Sequence, residues 1–252
     1  GLIALTKIDR CDEGQIGRTL EQINEVVSRT FLKDAEIYPV SSLTNEGMET
    51  LQVALELTAD DIKHRRENGQ FRLAIDRRFS IKGSGVVVTG SVFSGSISVG
   101  DELFLMPQAI PVRIRGLHTQ NQEAKSAIAG DRCAVNISGQ GLDLELIHRG
   151  NWLTTNQAVA TARVDIELAI SHSETRPFSH WTPVHIHSAA NHVTGRVALL
   201  ETTDTTRIAP GQKGLAQLVF DPPINLCFGD RVIIRDQAAT RTIGGGKVIN
   251  TT

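Results

Sequence analysis

At 252 residues, with 40% hydrophobic and 21% charged side chains and a formal net charge of -2, the chain is long enough for two or three small domains and has no global positive field for nucleic acid. No stretch approaches the roughly 20 apolar residues of a membrane span, and no charged segment precedes an apolar core as in a secretory leader. The three cysteines, Cys11, Cys133 and Cys227, are widely spaced and form no Cys-x-x-Cys pair, which argues for a reducing, cytoplasmic compartment and against a disulfide framework or a cysteine zinc site.

The first region, 1–66, reads as α/β. Leu2–Leu5 is a short apolar strand, and the apolar opening reads as a buried strand whose upstream part lies outside this sequence. Residues 15–31 place Ile16, Leu20, Ile23, Val26, Val27 and Phe31 at helical spacing, which predicts a helix packed on a core. Ala35–Val40 is a second strand. Glu46–Arg65 carries Met48, Leu51, Ala54, Leu55 and Ile62 on one helical face. Strand and helix alternating at this length predict part of a doubly wound parallel sheet. The polar run from Lys63 to Gly69 is a linker candidate.

From Phe71 the pattern changes to short strands between turn signals, over Phe71–Ile75, Gly85–Val92, Glu102–Leu105, Val112–Leu117 and Arg132–Ile137. Turns fall at Lys82-Gly83-Ser84-Gly85, Ser94-Gly95, Val99-Gly100-Asp101 and Ala129-Gly130-Asp131. Without a long helical period, this predicts a small β-barrel over 70–155. Strands at Ala162–Ile170, Pro183–His187, Val193–Leu200, Gly214–Phe220 and Asp230–Arg235 predict a second barrel over 158–252, with the boundary near Thr154–Val159.

Thr6-Lys7-Ile8-Asp9 follows directly on the first strand, at the carboxyl end where ligands of doubly wound sheets sit. An aspartate there can accept hydrogen bonds from N1–H and the exocyclic amine of guanine. Adenine offers no such donor pair and would leave a buried carboxylate unpaired. The Lys7 stem can lie along the base while its ammonium stays wet. On four residues alone, a charged turn closing a strand is an equal reading. The next strand ends in Ser41-Ser42-Leu43, one strand–helix unit later. The two elements resemble the Asn/Thr-Lys-x-Asp and Ser-Ala-Lys/Leu guanine-specificity elements of the GTPase superfamily, with Thr6 where asparagine is commoner. The resemblance implies GTP as cofactor, with Mg2+ in an intact protein, and a Ser42 N–H on guanine O6. The sequence holds no Gly-x-x-x-x-Gly-Lys-Ser/Thr phosphate loop, and neither Gly83-Ser84-Gly85 nor Gly244-Gly245-Gly246 opens a helix. The chain as it stands is not expected to hydrolyse GTP.

Phe79 to Gly90 followed by Val99-Gly100-Asp101 resembles domain II of translational GTPases, including elongation factor Tu. The preceding Phe71-Arg72-Leu73-Ala74-Ile75-Asp76-Arg77 is similar to the selenocysteine-specific elongation factors, called SelB, where elongation factor Tu has an acidic pair at Asp76-Arg77. Gly116–Gln122, Ala129–Ile137 and His148–Leu153 continue the resemblance. It implies an α/β C-terminal part of a P-loop GTPase domain followed by two all-β barrels, domains II and III of the translation factors. It also implies GTP-dependent delivery of selenocysteinyl-tRNA to the ribosome. The alternative is a general aminoacyl-tRNA-carrying or ribosome-associated GTPase, against which Asp76-Arg77 argues. In the family a pocket holds the selenocysteinyl side chain, and carried over its wall would be Asp76, Arg77 and Arg132. A selenol is more acidic than a thiol and is an anion at neutral pH, so paired arginines would favour it over neutral serine. A surface ion pair is the other reading of these residues.

His187–Val197, Arg235-Asp236 and Arg241–Gly246 resemble domain III, which in the family holds the acceptor and T arms of tRNA. Arg196, Arg235 and Arg241 are candidate phosphate partners, with Arg207, Arg231 and Lys247 also available. His180, His185, His187 and His192 invite a metal reading, but no acidic or cysteine ligand stands at matching spacing, and strand and turn histidines explain them better. The resemblance further implies a monomer and winged-helix domains beyond this sequence that would bind a hairpin of the messenger RNA.

Overall fold

The computed structural model describes residues 1–61, 69–81, 85–157, 159–200 and 207–251. The predicted linker over 63–68, Ile62, the turn residues Lys82, Gly83 and Ser84, and position 158 lie outside them. The chain divides into two compact units, Gly1–His64 and Arg65–Thr252.

In the first unit, β1 (Ile3–Thr6) and β2 (Ile37–Val40) pair in parallel, with Ile3 opposite Ile37 and Thr6 opposite Val40. Helix α1 (Glu13–Val27) links them and α2 (Met48–Asp61) follows. Asp12 starts α1 in a capping box: its carboxylate accepts from the Gln15 N–H, and its own N–H donates to the Gln15 side chain. The helix ends at Val27, short of the predicted Phe31. There the Thr30 hydroxyl takes the Val27 carbonyl and accepts from the Leu32 N–H, offering the backbone a turn in place of another helical bond. Phe31 is consequently 88% exposed, and Val26 and Leu55 are exposed too, so the predicted core faces of both helices are narrower than their periodicity suggests. None of the described helices is long and apolar enough to cross a membrane.

The second unit holds two barrels. Its first strands are β3 (Arg72–Ile81), β4 (Gly85–Ser94), β5 (Ser96–Ser98), β6 (Glu102–Met106), β7 (Ile110–Thr119), β8 (Gln122–Ala124), β9 (Ser126–Ile128), β10 (Arg132–Ser138) and β11 (Trp152–Thr154). The ladder β10-β4-β3-β11-β6-β7 closes because β10 also pairs with β7. Inward residues alternate along each strand and fill the ring with Leu73, Ile75, Val88, Leu105, Leu117 and Val135 among others. Gly90 is required where β4 crosses β3, since a Cβ there would stand 2.1 Å from the Ala74 carbonyl oxygen.

The next strands are β12 (Thr161–Ile170), β13 (Phe178–Ser179), β14 (Thr182–Ser188), β15 (Asn191–Leu199), β16 (Arg207–Ile208), β17 (Lys213–Ile224), β18 (Arg231–Arg235) and β19 (Thr242–Asn250). The order β12-β17-β15-β14-β18-β19 closes on itself around Val164, Ile166, Leu168, Ile186, Leu218 and Ile234. The Gly244-Gly245-Gly246 run lies inside β19. A Cβ at Gly244 or Gly246 would meet the carbonyl oxygen of Ala169 or Glu167 at 2.2 or 2.5 Å, so this run serves close strand packing. The barrels meet through Arg72, whose guanidinium makes two 2.8 Å bonds to the Asp230 carboxylate and lies 4.2 Å from the Trp152 ring centroid.

Candidate functional site

At the carboxyl ends of β1 and β2 the predicted guanine-reading residues converge. Lys7 takes a left-handed conformation (φ 63°), which turns the chain out of β1 into a 3-10 turn over Ile8–Arg10. That turn brings Asp9 to Ser41, whose fully buried hydroxyl donates to Asp9 Oδ1 at 2.5 Å. The same hydroxyl oxygen accepts from the N–H groups of Leu43 and Thr44, both at 3.2 Å, and the Ser41 N–H donates to the Glu46 carbonyl at 2.9 Å. Ser41 is therefore a structural keystone of this corner. Asp9 was expected to be buried; it is exposed, because only the Ser41 side lies against protein. Thr6, Lys7, Ser42 and Leu43 are exposed as well, Leu43 at 79%. Among the described residues no acceptor faces the Ser42 N–H. The corner thus presents an exposed carboxylate and, one residue past its Ser41 partner, an exposed residue whose backbone N–H has no acceptor among the described residues.

In the first barrel, Asp76 owes its place to a bulge. Ile75 pairs with Gly90 and Arg77 with Thr89, which leaves Asp76 as the surplus residue of β3. The neighbouring strands supply its partners: the Thr89 hydroxyl donates to Oδ1 at 2.8 Å, and Arg132, at the start of β10, grips both oxygens through its two terminal nitrogens. Burial alone would push the Asp76 carboxyl up. The hydrogen bonds from Arg132 and Thr89 and the charges of Arg132 and Arg77 prevail and hold it below the usual carboxylate range. The Arg132 guanidinium, hydrogen-bonded to Asp76, is raised above its already high value. Arg77 is exposed and contributes charge. The ion pair that the sequence offered as the other reading of these residues is present between Arg132 and Asp76. The bulge delivers Asp76 to Arg132, leaving two cations and one carboxylate as a cluster with a net positive charge.

The three arginines nominated on the second barrel have unlike surroundings. Arg196 is exposed, donates to the Trp181 carbonyl at 3.3 Å and lies 5.9 Å from the Trp181 ring. Arg235 is half-buried, with its Nε unpartnered among the described residues. Arg241 is ion-paired with Glu174 and is less available to a phosphate than the sequence suggests. Sequence reasoning missed Arg78, which clamps the carbonyls of Leu144 and Ile147, and the stacked rings of His185, His187 and His192. Alternation in β14 and a mirrored histidine in β15 were the available signals for the stack. Among the described residues no group of three or more His, Cys, Asp or Glu is arranged to hold a metal ion.

Comparison with known proteins adds to this geometry. Residues 161–252 match the family described as selenocysteine-specific elongation factor, beta-barrel domain, and residues 85–154 match elongation factor Tu domain 2. The selenocysteine-specific elongation factor of Escherichia coli (strain K12) is 40% identical over 248 residues, covering 98% of this chain and 38% of that protein. That of Desulfomicrobium baculatum is 33% identical over 251 residues, covering 99% of this chain and 39% of that protein. The chain therefore spans less than two fifths of the length of these relatives. The crystal structure of translation elongation factor SelB from Methanococcus maripaludis in complex with the GTP analogue GppNHp shares the fold, with a TM-score of 0.84 at 24% identity over all of this chain and 59% of that one.

Proposed function

We propose a function from the premise that this chain belongs to the selenocysteine-specific elongation factor family: it is part of a factor that carries selenocysteinyl-tRNA to the ribosome under control of GTP. The observation that carries the reading is the cluster of Asp76, Arg77, Arg132 and Thr89 on the β3 bulge. A selenolate is a full anion, and a seryl hydroxyl is not. The two terminal nitrogens of Arg132 face Asp76, so its remaining N–H groups and the Arg77 guanidinium are the donors for an incoming anion. Asp76 holds the Arg132 plane in place and prevents it from following the ligand. The Arg132 side chain is 56% exposed, and an ion pair in that much water contributes about 0–1 kcal/mol. Strong selection against serine therefore requires the ester end of the tRNA to cover the cluster and exclude water.

The guanine base is proposed to sit at Asp9, with the Ser42 N–H on its O6 and the Lys7 stem along its face. GTP supplies the switch for tRNA affinity. The proposed contacts cover the guanine end of its site, and the Mg2+ expected with it has no ligand set among the described residues. Arg196 and Arg235 are proposed to meet tRNA phosphates, with Arg241 weaker because Glu174 already neutralises it. The factor is proposed to act as a monomer in the cytoplasm.

The test is competition between selenocysteinyl-tRNA and seryl-tRNA for the full-length factor bound to GTP. Arg132→Ala is expected to erase most of the preference while leaving GTP affinity unchanged. A preference that survives intact refutes the assignment of the cluster.

A further inference from the structure

The β14–β15 turn docks against the first barrel. Its Ala190 carbonyl accepts from Arg149 Nε at 3.3 Å, and Asn191 lies so close to Gly150 that a Cβ there would stand 2.8 Å from it. Between turn and barrel is a recess of about 450 Å³ lined by Arg149, His187, Ala189, Ala190, Asn191 and His192, with no carboxylate among them. Ala189 is held at φ 51°, a conformation uncommon outside glycine. Behind the lining runs a hydrogen-bonded chain of rings. His185 Nε2 lies 3.0 Å from the Gln237 carbonyl oxygen, which can only accept, so Nε2 carries the proton. With Nε2 so engaged, His185 Nδ1 is the acceptor for His192 Nε2, 2.8 Å away. That bond occupies His192 Nε2, so Nδ1 is the ring nitrogen left to meet a ligand. His187 stacks on His192 at 4.8 Å between centroids, and its Nε2 is buried without a partner among the described residues.

We propose that this recess is a binding site for a phosphate-class anion, held by the Arg149 guanidinium from one barrel and by His192, backed by His187, from the other. A cation is disfavoured by the charges around it. Arg149 lines it from the loop ahead of β11 and His187 and His192 line it from the hairpin, while the charge of Arg235 on β18 reaches His187. Asp221 lines the adjoining groove beside Thr194, and Asp236 follows Arg235 at the end of β18. Burial first, then the charges of His192, Arg235 and His185, holds His187 below the ordinary imidazole value, the direction an anion would reverse. A phosphate bound here would bridge the two barrels. The chemistry fits a free phosphate or a phosphodiester of an RNA backbone equally, and the site requires no selenocysteinyl group.

The experiment follows the ring signals of His187 and His192 by NMR on the full chain while inorganic phosphate replaces chloride at fixed ionic strength. The expected result is a saturable shift of both residues, with the His187 titration midpoint rising as phosphate is added. Arg149→Gln, a surface change, is expected to weaken phosphate binding about tenfold or more with the fold unchanged. No phosphate-specific shift, or an unchanged affinity in the folded Arg149→Gln protein, overturns the proposal. A short RNA duplex that moves the same signals and competes with phosphate identifies the diester as the source, and an RNA that leaves them untouched identifies the free anion. In the full-length factor, Arg149→Gln is expected to leave the preference for selenocysteinyl- over seryl-tRNA intact, so this site and the Arg132 cluster fail independently.

Discussion

Replacing Asp230 by alanine is expected to weaken the unit of two barrels by about 3 kcal/mol, the lower end of the range for breaking a buried ion pair. The Arg72 and Asp230 side chains are only 14% and 11% exposed, and both guanidinium–carboxylate bonds are 2.8 Å long. Removing the carboxylate strands the Arg72 cation over the Trp152 ring, where it cannot shed its proton, and deprives the Cys227 N–H of its 2.8 Å acceptor. Burial opposes the Arg72 charge, and the bonds to Asp230 more than compensate, so the guanidinium is left at a loss without them. The double substitution Arg72→Met with Asp230→Ala is expected to recover much of the deficit, since no orphaned charge remains. Urea unfolding followed by Trp fluorescence measures this. A loss in Asp230→Ala below about 1 kcal/mol, the range of exposed pairs, refutes the view that this contact is a buried clamp between barrels.

Three further outcomes follow from particular residues. Asp9→Asn in the full-length factor is expected to move nucleotide preference from guanine toward xanthine, and an unchanged GTP/XTP ratio in a binding assay counts against the base contact. The folded Asp76 carboxyl lies below its unfolded value of about 3.9, so its contribution to stability is fully present above that pH and is lost as pH falls through the folded value. Thr89→Val is expected to raise the Asp76 midpoint in an NMR titration, and an unmoved midpoint removes Thr89 from its support. Burial, aided by Asp131, pushes the Cys133 thiol up to about 12, so thiol reagents at mildly alkaline pH are expected to modify exposed Cys11 and spare Cys133, as mass spectrometry would read.

The two barrels were legible because their core strands alternate cleanly, as in Arg132–Ile137, where every second residue is buried. β19 was not read as a strand because its three glycines carry no strand signal; each is required only by the neighbouring backbone, which sequence does not display. Helix α1 was overextended because Phe31 continues the period while the Thr30 hydroxyl, one residue earlier, ends it. The convergence of Asp9 and Ser41 was implied by the resemblance to the guanine-specificity elements of GTPases, but the role of Ser41 as a buried support was not, since a hydroxyl gives no sign of which way it turns. Arg72 and Asp230 stand 158 positions apart, and no local pattern joins them. The β3 bulge was invisible for a related reason. A surplus residue is defined by its partner strand, and the alternation of β3 by itself places Asp76 and Arg77 on opposite faces.

That surplus residue would separate foldability from the proposed selectivity. Were codon 76 deleted, Ile75 would still face Gly90 and Arg77 would fall into register with Thr89, closing the gap with the same inward side chains. The barrel would keep its core and lose the carboxylate that holds Arg132 and the Thr89 hydroxyl. A lineage could thus gain or discard the proposed discrimination at this spot by a single in-frame insertion or deletion, with the scaffold as a neutral bystander.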